Sequence, residues 1–147
     1  MRFICSGFAA LVLFGCNSSS NPPLIELIIP KGFNGTAYLL QDPNGESIPW
    51  INGHYRIVIP ADGILRVRST DPLRQWHVLL ARFDDGTPLP DYTNSDTPQT
   101  DGEVAYLGSS GVAATSKGIT VKYIEFRIGN TKMERNSKLD ERLFIKK

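Results

Sequence analysis

HYRIVIPADGILRVRS, residues 54–69, is the stretch that decides the fold class. Side chains alternate faces along a β-strand. Tyr55, Ile57 and Ile59 therefore point one way, and His54, Arg56 and Val58 the other. After Pro60-Ala61-Asp62-Gly63 the alternation resumes, with Leu65 and Val67 set against Arg66 and Arg68. A period of two, broken by a Pro/Asp/Gly turn, reads as two short strands. Joined as a hairpin with Gly63 at a bulge, they pair Ile59 with Leu65 and Ile57 with Val67. Arg56, Arg66 and Arg68 then share the outer face of that hairpin.

The same pattern extends in both directions. Runs rich in Ile, Val, Leu, Tyr and Phe occupy residues 24–29, 36–41, 75–83, 103–107 and 119–128. Asp42-Pro43-Asn44-Gly45, Asn52-Gly53 and Asp85-Gly86 punctuate them as turns. No sustained 3.6-residue apolar period occurs before residue 129. Seven short strands at this spacing predict an all-β chain folded as a single β-sandwich, immunoglobulin-like or similar, over residues 24–129. Residues 130–147 form a tail of mixed charge, open to a helix, an edge strand or disorder. The 147 residues fit one domain, and no internal repeat is present.

The N-terminus has a different character. Arg2 supplies a short positive start, and residues 3–15 are almost wholly apolar. This is the layout of a secretory signal, too short for a bilayer-spanning helix of about 20 residues. It ends in Leu13-Phe14-Gly15-Cys16, which resembles the lipobox of bacterial lipoproteins: Leu three residues before Cys and a small residue directly before it. Phe14 departs from the usual small or β-branched residue at its position. The resemblance implies cleavage before Cys16, diacylglycerol on its thiol and acylation of the new amine. Residues 1–15 are then a signal peptide, and residues 16–23 a lipidated cysteine with a flexible tether. The tether, NSSSNPP at 17–23, has nothing apolar to bury and reaches roughly 23 Å when extended. Asn17 gives no clear inner-membrane retention signal, which points to the outer membrane.

Cys5 falls in the signal and Cys16 takes the lipid, so the domain contains no thiol nucleophile, disulfide or cysteine metal site. Loss of residues 1–15 removes only Arg2 and leaves 15 basic and 15 acidic side chains. Such a balance argues against nucleic acid as a partner.

Pro30-Lys31-Gly32-Phe33-Asn34-Gly35, followed by residues 53–60 and by Asp62-Gly63-Ile64-Leu65, is similar to an uncharacterised family of small bacterial lipoproteins. The family shares a Pro-x-Gly-Phe/Tyr-x-Gly opening and a later Tyr-x-Ile…Gly-Ile/Leu hairpin. The resemblance covers residues 24–90 and implies an exported β domain. It transfers no catalytic residue.

Two features offer themselves as sites. A face bearing Arg56, Arg66 and Arg68 suits phosphate, lipid head groups or an acidic glycan, although a solvated sheet face is the simpler reading. The second is the stretch 84–102, with Asp84, Asp85, Asp91, Asp96 and Asp101 and no basic residue. Carboxylates at this density suit Ca²⁺, but their spacing matches no EF-hand, and a solvated loop is again simpler. His54 and His77 are the only histidines, and no hydrolase elbow, phosphate loop or zinc-protease motif is present. The expectation is therefore a lipid-anchored, non-enzymatic binding or envelope-structural module without a cofactor. Its partners are the membrane through Cys16 and an envelope protein, glycan or lipid head group. The alternative is a hydrolase or metal-dependent protein using the 84–102 loop. Carboxylates converging with His54 or His77 in a pocket would favour the enzyme.

Overall fold

A computed structural model describes residues 21–90, 103–114, 118–130 and 141–144. The strands are β1 (Leu24–Ile29), β2 (Gly35–Glu46), β3 (Trp50–Ile51), β4 (His54–Val58), β5 (Ile64–Val67), β6 (Val78–Phe83), β7 (Pro88–Leu89), β8 (Glu103–Ala114) and β9 (Thr120–Asn130). They form two packed sheets, one ordered β3-β4-β1-β6-β7 and the other β5-β2-β9-β8. The predicted β-sandwich is thus what the chain forms. Two short 3-10 turns, Asp71–Leu73 and Glu141–Phe144, complete the described elements.

The core lies between the sheets. Ile25, Leu27, Ile29, Ile57, Ile59 and Phe83 enter it from one side, and Ala37, Leu39, Val67, Ile124, Phe126 and Ile128 from the other. A second cluster lies on the outer face of the four-stranded sheet. There Leu143, from the C-terminal 3-10 turn, is fully buried with Tyr38 and Leu40.

The structure corrects the hairpin expected over residues 54–69. β4 pairs in parallel with β1, and β5 pairs in parallel with β2, so the two strands belong to opposite sheets. Pro60 has no N–H to continue a ladder. Gly63 N–H donates to the Pro60 carbonyl at 2.8 Å, closing a turn that carries the chain across the sandwich. Ile57 and Ile59 consequently face Leu65 and Val67 across the core instead of lying beside them.

The segment before it makes the same crossing. Phe33 N–H donates to the Pro30 carbonyl at 3.0 Å, between β1 and β2. The two crossings stack. Ile59 N–H reaches the Ile28 carbonyl at 2.9 Å, and Tyr38 N–H reaches the Gly63 carbonyl at 2.7 Å. The Phe33 ring lies against Gly63, whose φ of +74° suits a residue without a Cβ. The two Pro/Gly motifs are thus a pair of stacked arches. Their in-and-out alternation is the same as that of a hairpin, so periodicity alone does not separate the two.

Candidate binding face

The outer face of the five-stranded sheet is a grid fixed by parallel registers. Glu26 of β1 stands between Arg56 of β4 and Leu80 of β6; Ile28 stands between Val58 and Arg82; Leu24 stands beside Val78. Glu26 is the only charged residue in its strand, LIELII. Its Oε2 accepts from Arg56 Nε at 2.6 Å and lies 3.1 Å from His54 Nε2, and its Oε1 accepts from Arg82 Nε at 2.9 Å. Burial of this carboxyl pushes its pKa up. The hydrogen bonds from Arg82, Arg56 and His54 outweigh that effect and hold it at about 2, against an ordinary 4.5. One carboxylate of β1 thus locks side chains from the two neighbouring strands, within a frame of exposed Val58, Val78 and Leu80.

The predicted basic face is not formed. Arg56 is engaged by Glu26 on one sheet, while Arg66 belongs to the other and lies 3.7 Å from Asp42. Arg68 follows the end of β5, exposed, with its N–H on the Glu46 carbonyl at 2.8 Å. The crossing at residues 60–63 places Arg56 and Arg66 on opposite outer faces, so the three arginines do not converge. Glu125, which could have neutralised them, accepts instead from Arg127 Nε and from Ser109 Oγ.

Of the acidic stretch 84–102, Asp91, Asp96 and Asp101 lie outside the described residues. Asp84 and Asp85 brace the turn after β6. Asp84 Oδ1 accepts from Lys31 N–H at 3.0 Å, and Asp85 Oδ1 accepts from Thr87 N–H at 2.9 Å. The Thr87 backbone and hydroxyl, with the ammonium of Lys31, hold the Asp85 carboxyl at about 2. Among the described residues no three His, Cys, Asp or Glu side chains approach closely enough to hold a metal ion.

A cavity of about 360 Å³ opens between the Asp71–Leu73 turn and β8, lined in part by Thr70, Arg74, Ser110, Lys122 and Tyr123. Neither histidine reaches it. His77 Nδ1 sits 2.8 Å from the Gln75 carbonyl, and His54 meets Glu26 on the open sheet face. Glu26 does converge with a histidine, but on a sheet face and tied to two guanidiniums, which makes it a poor base. Sequence reading had one available signal for this cluster, the lone Glu within an apolar strand.

No protein-family model and no curated protein matches the chain. The resemblance drawn from the Pro/Gly motifs therefore has no family model behind it. A solved structure described as "Putative Lipoprotein from Bacillus anthracis" is similar at a TM-score of 0.49 and 12% identity, covering 80% of this chain and 84% of that one.

Proposed function

We propose that the chain is a lipoprotein, held in the cell envelope by lipid on Cys16, whose β-sandwich presents the outer face of the five-stranded sheet to an envelope partner. The anchor is supported by Arg2, the short apolar run, Leu13-x-Gly15-Cys16 and the polar tether. Among the described residues no helix is long and apolar enough to cross a membrane. The outer membrane is the preferred location, because Asn17 carries no clear retention signal. The observation that carries the binding role is the face itself. Val58 and Leu80 remain 53% and 54% exposed beside a charge cluster already fixed in place. Exposed apolar side chains beside polar groups already fixed in place offer a partner both apolar contact area and preordered hydrogen-bonding groups. An envelope protein, a glycan or a lipid head group are the partners it could meet. Among the described residues of the 84–102 stretch, Asp84 and Asp85 serve the turn they stand in and lend the hydrolase alternative no support.

Cys16→Ser should abolish acylation and leave the precursor uncut at that site. The wild type should partition into a detergent phase and show an acylated N-terminal Cys16 by mass spectrometry. An unmodified wild-type Cys16 would end the lipoprotein reading. For the face, Val58→Asp with Leu80→Asp in the acylated chain should leave the circular dichroism unchanged. It should lower crosslinking to native envelope components at least about tenfold, the effect of losing contacts worth about 1.4 kcal/mol. An unchanged crosslink pattern would move the partner elsewhere on the surface.

A further inference from the structure

The chain holds two tryptophans, and both are exposed: Trp50 is 56% accessible and Trp76 71%. Their positions follow from the registers. Trp50 of β3 pairs with Tyr55, which is level with Ile25 at the start of β1. Trp76 stands two residues before Val78, which pairs with Leu24 and donates its N–H to the Pro23 carbonyl at 3.0 Å. Both tryptophans therefore lie at the end of the five-stranded sheet where the chain enters it from the tether. In the order β3-β4-β1-β6 they lie on either side of that point, three strand spacings or about 14 Å apart.

Further exposed apolar side chains lie at this end. Val78 is exposed here, and so are Val112 near the close of β8 and Ile119 before the start of β9. Five of the seven exposed large apolar residues among those described thus gather at one end. The opposite end, where the arches turn, exposes Lys31, Asp62, Asp84 and Asp85.

We propose that the Trp50/Trp76 end rests on the bilayer carrying the anchor, with both indoles at headgroup level. This orientation depends on the lipid on Cys16 proposed above. The length of chain between that cysteine and Pro23 argues for it. Seven residues, roughly 23 Å at full stretch, hold this end within reach of the interface and keep the arch end away. Indoles suit that depth because their rings are apolar while the N–H seeks a polar partner. A tether this short gives an effective concentration near millimolar, so a contact too weak to recruit a free domain still orients an anchored one. The charges at this end have both signs, Arg68, Arg74 and Lys122 beside Glu46 and Asp71. The contact is therefore apolar in origin, insensitive to salt and to lipid charge.

The test uses the acylated protein in phosphatidylcholine vesicles containing lipids brominated high on the acyl chain. Tryptophan emission should shift to shorter wavelength and be quenched, as expected for indoles at the interface. Trp50→Phe and Trp76→Phe should each leave the remaining indole quenched. Added salt or anionic lipid should change little. Unquenched emission from protein whose Cys16 is shown by mass to be acylated would overturn the orientation and leave the anchor standing. An unacylated Cys16 with no vesicle association would overturn both.

Discussion

Glu26→Gln is expected to destabilise the domain by about 2–3 kcal/mol near neutral pH, lowering Tm by roughly 10 °C for a domain of this size. The carboxylate is 15% exposed and serves Arg56, Arg82 and His54 together. Its removal leaves two guanidiniums on either side of β1 without a counter-charge, and the new amide turns a donor toward one of them. Because both arginines remain about one-third exposed, water recovers part of the loss, which keeps the figure below that of a fully buried pair. Arg82→Met in the Glu26→Gln background should restore some stability, since it removes a cation that has lost its counter-charge. The pH dependence has a definite sign. The folded carboxyl titrates at about 2 and the unfolded one near 4.5. Its contribution is complete above pH 4.5 and is lost as pH falls toward 2, amounting to at most about 3 kcal/mol. Urea midpoints of wild type and Glu26→Gln should therefore converge across that window. Parallel curves down to pH 2 would show that the carboxylate is not what couples stability to acid.

The cluster and the fold differ in how much of each could be read from the sequence. Alternation in residues 54–69 assigns Ile57, Ile59, Leu65 and Val67 to the interior correctly, because each strand buries one face whichever sheet it joins. What the pattern lacks is the identity of the partner strand. An arch and a hairpin leave the same in-and-out record, and only pairing decides whether Arg56 and Arg66 are neighbours or lie on opposite sides. Pairing is non-local here: Glu26 meets Arg56 across 30 residues and Arg82 across 56. The turn read at Asp42-Pro43-Asn44-Gly45 is a related case. β2 continues through it to Glu46, and both Gln41 and Glu46 register with Val67, so the turn forms an excursion from a strand instead of its end. The apolar Leu143 in the charged tail gave no periodic signal, yet it closes the second cluster.

The stacked arches make the other large prediction. At Gly63 two costs coincide. Its φ is +74°, and a Cβ there would lie 2.9 Å from Phe33 Cζ and 3.3 Å from the Thr36 carbonyl oxygen. Gly63→Ala should therefore cost about 1–2 kcal/mol for the left-handed backbone and about 1–2 more for overpacking. Gly53 and Gly86, at φ +83° and +89°, have no atom within 4 Å of where a Cβ would stand, and should show the backbone cost alone when changed to Ala. A double-mutant cycle separates the two contributions. Phe33→Ala removes the ring that a Cβ would strike and has its own cost in lost packing, since Phe33 lies against the core. In that background Gly63→Ala should cost less than it does beside the ring, approaching the Gly86→Ala value apart from the backbone contact to the Thr36 carbonyl oxygen that remains. Chemical denaturation of the four proteins in the cycle gives the coupling energy directly. If Gly63→Ala is equally costly with and without the Phe33 ring, the stacking of one arch on the other is not what requires glycine there, and the turn conformation alone accounts for it.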